Sequence, residues 1–460
     1  MTNRTNGERQ KVIVVGGGIA GLTAAFRLQE AGFEVRVLER SEPELIGGRM
    51  STVEREGFHI DVGSTLLLSS YHEMIKLASD AGLAPQIRPA GDIFGIVRDG
   101  AIQRISSGNR LRMPLSPLLR GLPARDLLKV AADFARARAL FDWHDMSRAA
   151  PADFESVRDY TVRRGLHPAT FEYLLAPFVA GPALAEPEQA AVISAFFFFN
   201  TLIASGGTFT SPQGVGFLPR GLAAVLPVEY LARATSVEEH ADEVTVTWNR
   251  PGEPEHTETA AACVIAVPPP GLPGLFPQLD DSQRAYLQDI AYSRSVHIAF
   301  GMDRPTAEAS LLLQVPRIEH PELSAFVLEH NQHPDRVPAG TGLVMAHFRG
   351  SWSAAHWELD DETVVRHALG GARRLGILPE LEQHATMAEV FRVSPCTVMR
   401  RPGEYRAISR FARSLRSGSR VRFAGGDYLA QSTTNSSLSS GEHIAAQLSE
   451  LLRTGRTSHR

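Results

Sequence analysis

Hydrophobic and polar positions change period several times along this 460-residue chain. Val12 to Val15 is an apolar run that predicts a buried strand. Glycines at 16, 18 and 21 follow, then a helical pattern, then a second strand ending in Glu39. Gly47 and Gly48 predict an open loop before Arg49, and Val53 to Ile60 a short hairpin. A helix is expected from about Leu66 to Asp80, with Leu67, Met74 and Leu77 in the core. Phe94 to Arg104 predicts a hairpin turning at Asp99–Gly100. From Leu115 to about Ser205 the pattern is mostly helical, with caps and breaks at Pro123, Pro151, Pro168 and Pro177. Gly221 to Leu231 then reads as helix, Glu243 to Trp248 alternates as a strand, and Ala262 to Val267 is a buried strand stopped by Pro268 to Pro270. A second β-rich block comprises Ser295 to Met302, Leu311 to Val315, Ala325 to Leu328 and Leu343 to Phe348. A helix over Asp361 to Leu375 and a strand over Met387 to Val393 follow. Arg420 to Asp427 predicts a strand ending in Gly-Gly-Asp, and a Ser/Thr loop leads into a helix over Ser436 to Leu452.

The first of these segments carries the strongest chemical signal. Gly16 permits a tight turn, Gly18 lets backbone approach a pyrophosphate, and Gly21 lets helix pack on strand. The helix N-terminus then offers free N–H groups to the phosphates. Glu39 accepts hydrogen bonds from ribose hydroxyls and repels a 2′-phosphate, so the ligand is expected to be FAD or NAD rather than NADP.

Composition narrows the partners. A length of 460 residues predicts two intimately joined domains. The chain is 43% hydrophobic and 21% charged, with a net charge of −4, which speaks for a globular protein and against a nucleic-acid partner. Its two cysteines, Cys263 and Cys396, have no paired spacing, so no disulfide framework, zinc site or iron–sulfur cluster is expected and a reducing cytoplasm is. The polar first ten residues predict no signal peptide, and the lack of an 18-residue apolar run predicts no membrane span. The segment Leu115 to Phe141 mixes apolar residues with arginine; a peripheral membrane contact there is the less favoured reading beside an ordinary amphipathic helix. Oligomeric state is left open.

Three separated motifs resemble the flavin amine oxidase, protoporphyrinogen oxidase and phytoene desaturase superfamily: VVGGGIAGLTAAFRLQEAGFEVRVLER, the following IGGRM, and the terminal VRFAGGDYLAQSTTNSSLSSGEHIAAQL. The middle of the chain looks most like protoporphyrinogen oxidases, through Phe178 to Phe196, Ser211 to Leu226 and Thr397 to Phe411. The resemblance implies an α/β fold of the glutathione-reductase flavin type, a Rossmann-like FAD-binding domain with an inserted α+β substrate domain. The FAD-binding parts would be residues 1–85, 206–275 and 411–460, and the substrate parts 86–205 (helical) and 276–410 (β-rich). It implies that Gly16, Gly18 and Gly21, with Ile19 and Ala20, cradle the pyrophosphate of a noncovalent FAD, and that Glu39 and Arg40 lie at the adenosine ribose. Gly47, Gly48 and Arg49, followed by Gly63 and Ser64, would border the pyrophosphate and flavin. Val237, just before a strand, would meet adenine through its backbone, and Gly426 and Asp427 would face the ribityl or phosphate region. The helix after the Ser/Thr loop would point its N-terminus at the flavin pyrimidine, where reduction places negative charge, with Thr434 among the cofactor-binding residues.

Absences shape the expected reaction. Many amine oxidases of the superfamily keep a lysine near flavin N5, but here lysine occurs only at positions 11, 76 and 129. The comparable strand offers Val296 and His297. No cysteine lies in RRPGEYR, so a covalent flavin thioether is not expected, and GVGFLPRG is no second dinucleotide fingerprint. After Asp61 the chain reads DVGSTLLL, where protoporphyrinogen oxidases usually have a Gly-Pro pair. His297 and Tyr71 are the candidate catalytic side chains; His59, Tyr405 and Tyr428 are further polar candidates. Arg98, Arg400 and Arg401 are candidate cations, and Phe171, Phe196 to Phe199, Phe209 and Phe217 apolar material for a pocket. The expected activity is two-electron dehydrogenation of a fairly apolar small molecule, a tetrapyrrole precursor or secondary metabolite, with O2 or another external acceptor. An amine or amino-acid oxidase forming an imine is the alternative.

Overall fold

The computed structural model describes residues 9–106, 119 and 121–457. At its centre lies a five-stranded parallel sheet, in the order Val228–Glu229, Glu34–Leu38, Lys11–Val15, Ala262–Ile265 and Val421–Phe423. The chain therefore returns to this sheet in three separate stretches. Val12 and Val14 enter one hydrophobic cluster and Ile13 and Val15 another, so the central strand is buried on both faces. A strand buried on both faces reads as a continuous apolar run rather than an alternation.

One face is covered by two helices, Ile19–Glu30 and Thr434–Thr457, which bring the early and late parts of the chain together. They approach closely at Gly441, where a Cβ would lie 2.4 Å from the Ala20 carbonyl oxygen. The other face is covered by a three-stranded antiparallel sheet, Arg233–Glu239, Val244–Asn249 and His256–Ala260, and by Leu272–Leu275.

A seven-stranded mixed sheet forms the second centre. Its order is Ala385–Val393, Ser295–Met302, Gly342–Phe348, Leu323–Leu328, Leu312–Gln314, Ile93–Arg98 and Ala101–Ser106. Val296, Ile298 and Phe300 point to the face packed under the helix Asp361–Leu375. Ala299 points to the other face, against Val53, Phe58 and Ile60 of the hairpin Thr52–Arg55/Phe58–Asp61. Helices Ala124–Ala137, Val157–Arg164 and Val192–Ser205 build a third cluster. Phe196, Phe197 and Phe198 are buried in it: Phe196 meets Phe134 and Tyr160, and Phe197 meets Phe141 and Trp143.

Several elements form as the pattern predicts, among them Ser295–Met302, Asp361–Leu375 and the hairpin turning at Asp99–Gly100. Others differ for identifiable reasons. The helix expected from Leu66 begins only at His72, because Leu67–Leu68 pairs as a strand with Thr208–Thr210. The helix expected over Gly221 to Leu231 runs instead over Phe217–Ala223, and Val228–Glu229 adds to the parallel sheet beside Glu34–Leu38. Val237 lies within a strand rather than before one. The last helix starts at Thr434, so the second half of the Ser/Thr stretch is its first turns, with Asn435 and Ser436 fully buried. The residues from Leu115 to Leu118 in the segment considered for membrane contact lie outside the described residues. Among the described residues no helix is long and apolar enough to cross a membrane.

Candidate functional site

The glycine turn makes a cradle out of backbone. Gly16 adopts φ +107°, and a Cβ there would meet the Ala266 carbonyl oxygen at 2.6 Å. At Gly21 a Cβ would lie 2.0 Å from the Gly16 carbonyl oxygen, so helix and turn touch through a missing side chain. Ile19 and Ala20 form the buried first turn of that helix. Gly18 differs: nothing lies within 4 Å of its Cβ position. Gly47 donates its N–H to the Gly17 carbonyl at 2.9 Å and bridges to Gly18, which brings the second glycine loop against the first. At Gly48 the nearest atom to an added Cβ is the Gly18 Cα, at 4.0 Å. Two unlike glycine loops thus leave shared open room at a helix N-terminus.

Glu39 closes one side of this room. It is buried, and its carboxylate accepts from the Gly17 N–H at 2.6 Å and the Ser41 N–H at 2.7 Å. Arg40 beside it is exposed. Val237 is fully buried by its side chain, on a strand with one edge unpaired in its sheet. Gly63 and Ser64 fold back on the second loop. The Ser64 N–H donates to the Arg49 carbonyl at 2.9 Å, and a Cβ on Gly63 would strike that oxygen.

On the other side Arg49 meets Asp427. The guanidinium donates to the Asp427 carboxylate at 2.6 Å, to the Cys396 carbonyl at 2.9 Å and to Ser432 Oγ at 3.0 Å. Desolvation works against the Arg49 charge, but Asp427 and Tyr292 outweigh it and hold its pKa above the usual value. Desolvation likewise works against the Asp427 carboxylate; Arg49, Ser432 and Tyr292 outweigh it and hold its pKa below the usual range. Gly426 packs against the Gln431 carbonyl just before the terminal helix. At that helix the N–H groups of Thr434 and Asn435 have no partner among the described residues, while Thr433 Oγ1 accepts from the Ser436 N–H. They leave a positive helix end on the Arg49–Asp427 side.

His297 stands apart from this cradle, in the seven-stranded sheet. It is buried, 3.3 Å from Ser295 Oγ, and stacked between His347 and Phe391. Burial, aided by His347, pushes its pKa well down. Its strand still reaches the cradle, because the preceding Ser293 is bonded to Thr397 and Cys396. Tyr71 is buried against Trp143, away from His297's sheet, and burial pushes its pKa up. Tyr428 donates to the Val267 carbonyl, and Tyr405 is tied to Ser194 and Gln431. His59 is half-buried, its pKa lowered by burial. Of the candidate cations, Arg400 is fully buried and spent on the Asp427 and Ala430 carbonyls, and Arg401 on Glu404 and Asp289. Arg98 lies over the Tyr173 ring. Arg401 is thus engaged by carboxylates, while the second Nη of Arg400 makes no hydrogen bond and lies 3.8 Å from the Glu404 carboxylate.

Sequence reading passed over Tyr292, Ser432, Cys396 and His347. His347 carries the signal that marks His297, one imidazole in an otherwise apolar strand. A further buried group had no signal. Arg336 is fully buried and donates to Asp61 at 2.9 Å and to Glu329 at 2.7 Å. Burial, with Asp61 adding, outweighs Arg336 and raises the Glu329 pKa.

The sequence model for the family described as flavin containing amine oxidoreductase matches residues 19–449. Protoporphyrinogen oxidase 1 of Arabidopsis thaliana is 23% identical over 80% of this chain and 74% of its own length. Phytoene desaturase of Fusarium fujikuroi is 39% identical over 70 residues, 15% of this chain and 12% of its own length. The chain spans 12% and 35% of the length of two further curated relatives. Among solved structures, cyclohexylamine oxidase from Brevibacterium oxydans superposes with a TM-score of 0.77 at 18% identity, covering 97% of this chain and 100% of that one.

Proposed function

The chain belongs to the flavin containing amine oxidoreductase family, and from that premise we propose that it is an FAD-dependent oxidoreductase that dehydrogenates a fairly apolar organic molecule. Two hydrogens leave the substrate as it gains a C=C bond, and dioxygen or another external acceptor takes them; with dioxygen the second product is hydrogen peroxide. FAD, when bound, supplies the two-electron acceptor for this reaction.

In this reading Gly16, Gly18, Gly21 and Gly48 receive the pyrophosphate, and Glu39 turns its carboxylate toward the adenosine ribose. Val237 would offer backbone atoms to adenine. Arg49 and the N-terminus at Thr434 bring positive charge to the flavin, and Asp427 holds Arg49 in place. The open space at the Cβ positions of Gly18 and Gly48, on two loops that touch at a helix N-terminus, is the observation that carries the flavin part. Residues 1–85, 206–275 and 411–460 would hold the cofactor, and 86–205 with 276–410 the substrate.

The choice of C=C over C=N formation rests on the sheet beside the cradle. A hydrophobic face with neutral imidazoles, and no lysine, favours an uncharged substrate. The flavin is proposed to be noncovalent: burial pushes the Cys396 thiol up to about 11, which leaves little thiolate to attack it. We further place the activity in the cytoplasm, on cysteine usage alone. The test is anaerobic mixing of the yellow protein with candidate substrates. Bleaching by tetrapyrrole precursors or other apolar hydrogen donors supports the reading. Bleaching by primary amines alone, with peroxide release in air, would replace it with amine oxidation. Acid precipitation should release the colour into the supernatant; a yellow pellet would refute noncovalent binding.

A further inference from the structure

Two imidazoles stand side by side in the seven-stranded sheet with their outer nitrogens unbonded. His297 and His347 are direct partners across antiparallel strands, their rings 5.1 Å apart and 23° from parallel. Phe391 flanks His297 on the other strand, 5.4 Å away at 11°. The Nε2 atoms of both histidines are buried and without a hydrogen-bond partner. Leaving a buried nitrogen without a partner is unfavourable. Two orphans on one row of one sheet face mark a place where a ligand completes the bonding.

The row's position says which ligand site this is. Its face is the one that packs against the hairpin following Arg49. Along the strand direction, Ser293, four residues before His297, lies beside Cys396, whose carbonyl accepts from Arg49. Across the strands, the row passes from His347 through Ala325 to Gln314, which donates to the Pro177 carbonyl in the helical block. The imidazoles therefore lie between the cradle and the helical block, where a substrate of the proposed flavin enzyme would sit.

We propose that His297 and His347 jointly bind the substrate through an uncharged oxygen group, a hydroxyl or carbonyl, on an otherwise apolar molecule. This assignment rests on the flavin-dependent reading above. Burial pushes His347 down to about 4 and His297 well below its usual value, so both rings are neutral near pH 7. A neutral imidazole offers one N–H and one lone pair. A hydroxyl can donate to one ring and accept from the other, and a carbonyl can accept from one. An ammonium group would call for a counter-charge, but the carboxylate of the neighbouring row, Glu389, is already paired with Arg55 at 3.2 Å. A carboxylate would call for a cation; the flanking positions hold Ser295, Ala299, Met345 and Phe391, and the cation two residues past His347, Arg349, donates to the Val315 and His320 carbonyls.

The test uses four probes on one ring skeleton: cyclohexanol, cyclohexanone, methylcyclohexane and cyclohexylammonium. Each is titrated calorimetrically into the purified chain at pH 7, after its FAD content is measured. Cyclohexanol and cyclohexanone should bind about tenfold more tightly than methylcyclohexane, and His347→Phe should erase that preference. In the unaltered protein, the imidazole 15N resonances of His297 and His347 should shift on adding cyclohexanol, a readout that does not depend on the variant folding. Tighter binding of cyclohexylammonium, an unchanged ranking in His347→Phe, or unmoved 15N resonances would overturn the assignment. A chain that takes up no FAD overturns the flavin reading. A chain that takes up FAD but does not distinguish the probes overturns only the histidine assignment.

Discussion

At Gly18 a site is made by what is missing, an absent Cβ that leaves room beside Gly48. At His297 and His347 it is made by what is present, two rings filling a row of a sheet. The glycine turns of the cradle are backbone, held at Gly16 and Gly21 where a Cβ has no space, so they read off the sequence as spacing. The row depends on which residue faces which across two strands far apart in the chain, and that register is fixed only when the sheet forms. In the proposed reading one region would bind through backbone conformation and the other through side chains brought together by strand register.

That contrast can be broken by substitution. The largest effect is expected at Gly21, where alanine would place a Cβ 2.0 Å from the Gly16 carbonyl. A loss of at least about 3 kcal/mol is expected, seen as the disappearance of a cooperative thermal transition. Gly18→Val should act quite differently. Its φ of −70° suits any residue and its Cβ meets nothing. The fold should melt as before while FAD affinity falls by about a hundredfold in a flavin-fluorescence titration; equal loss of fold and binding would show that Gly18 is structural like Gly21.

Asp427→Asn sharpens the comparison from the side-chain half of the cradle. The carboxylate accepts from Arg49, Tyr292 and Ser432, and an amide cannot accept from all three. A cost of about 2 kcal/mol is expected in denaturant unfolding, and no change would remove Asp427 as the anchor of Arg49. The smallest effect is at Glu329, whose raised pKa means that the folded chain binds more protons there than the unfolded one. Stability should therefore fall as pH rises from about 4.3, the unperturbed glutamate value, through the folded pKa. Between pH 5 and 8 the wild type should lose at least about 1.4 kcal/mol, one pKa unit, more than Glu329→Gln. Parallel losses in urea melts would show that Glu329 does not carry this dependence.

The central strands Lys11–Val15 and Ala262–Ile265 were legible because they are buried on both faces, and the turn between the first of them and the first helix because Gly16 and Gly21 leave no space for a Cβ. Edge elements were not. Val228–Glu229 is two residues long and Leu67–Leu68 likewise, and each is held by a partner distant in sequence. Helical propensity over such short stretches is overruled by tertiary pairing. The Arg401 side chain is a related case: sequence shows its charge but not the Glu404 and Asp289 carboxylates that pair with it. Glu329 and Arg336 were silent because a buried ion cluster needs three segments to meet, Asp61 among them.

The close crossing of Gly441 over Ala20 has a consequence for how the protein is made. The helix that opens the cradle is made more than 400 residues before the helix that buries its flank. Arg49 likewise waits for Asp427. The nascent strand and helix must therefore stay unsealed while the intervening chain is made, and removal of the last helix alone would leave both glycine loops in place with that flank uncovered.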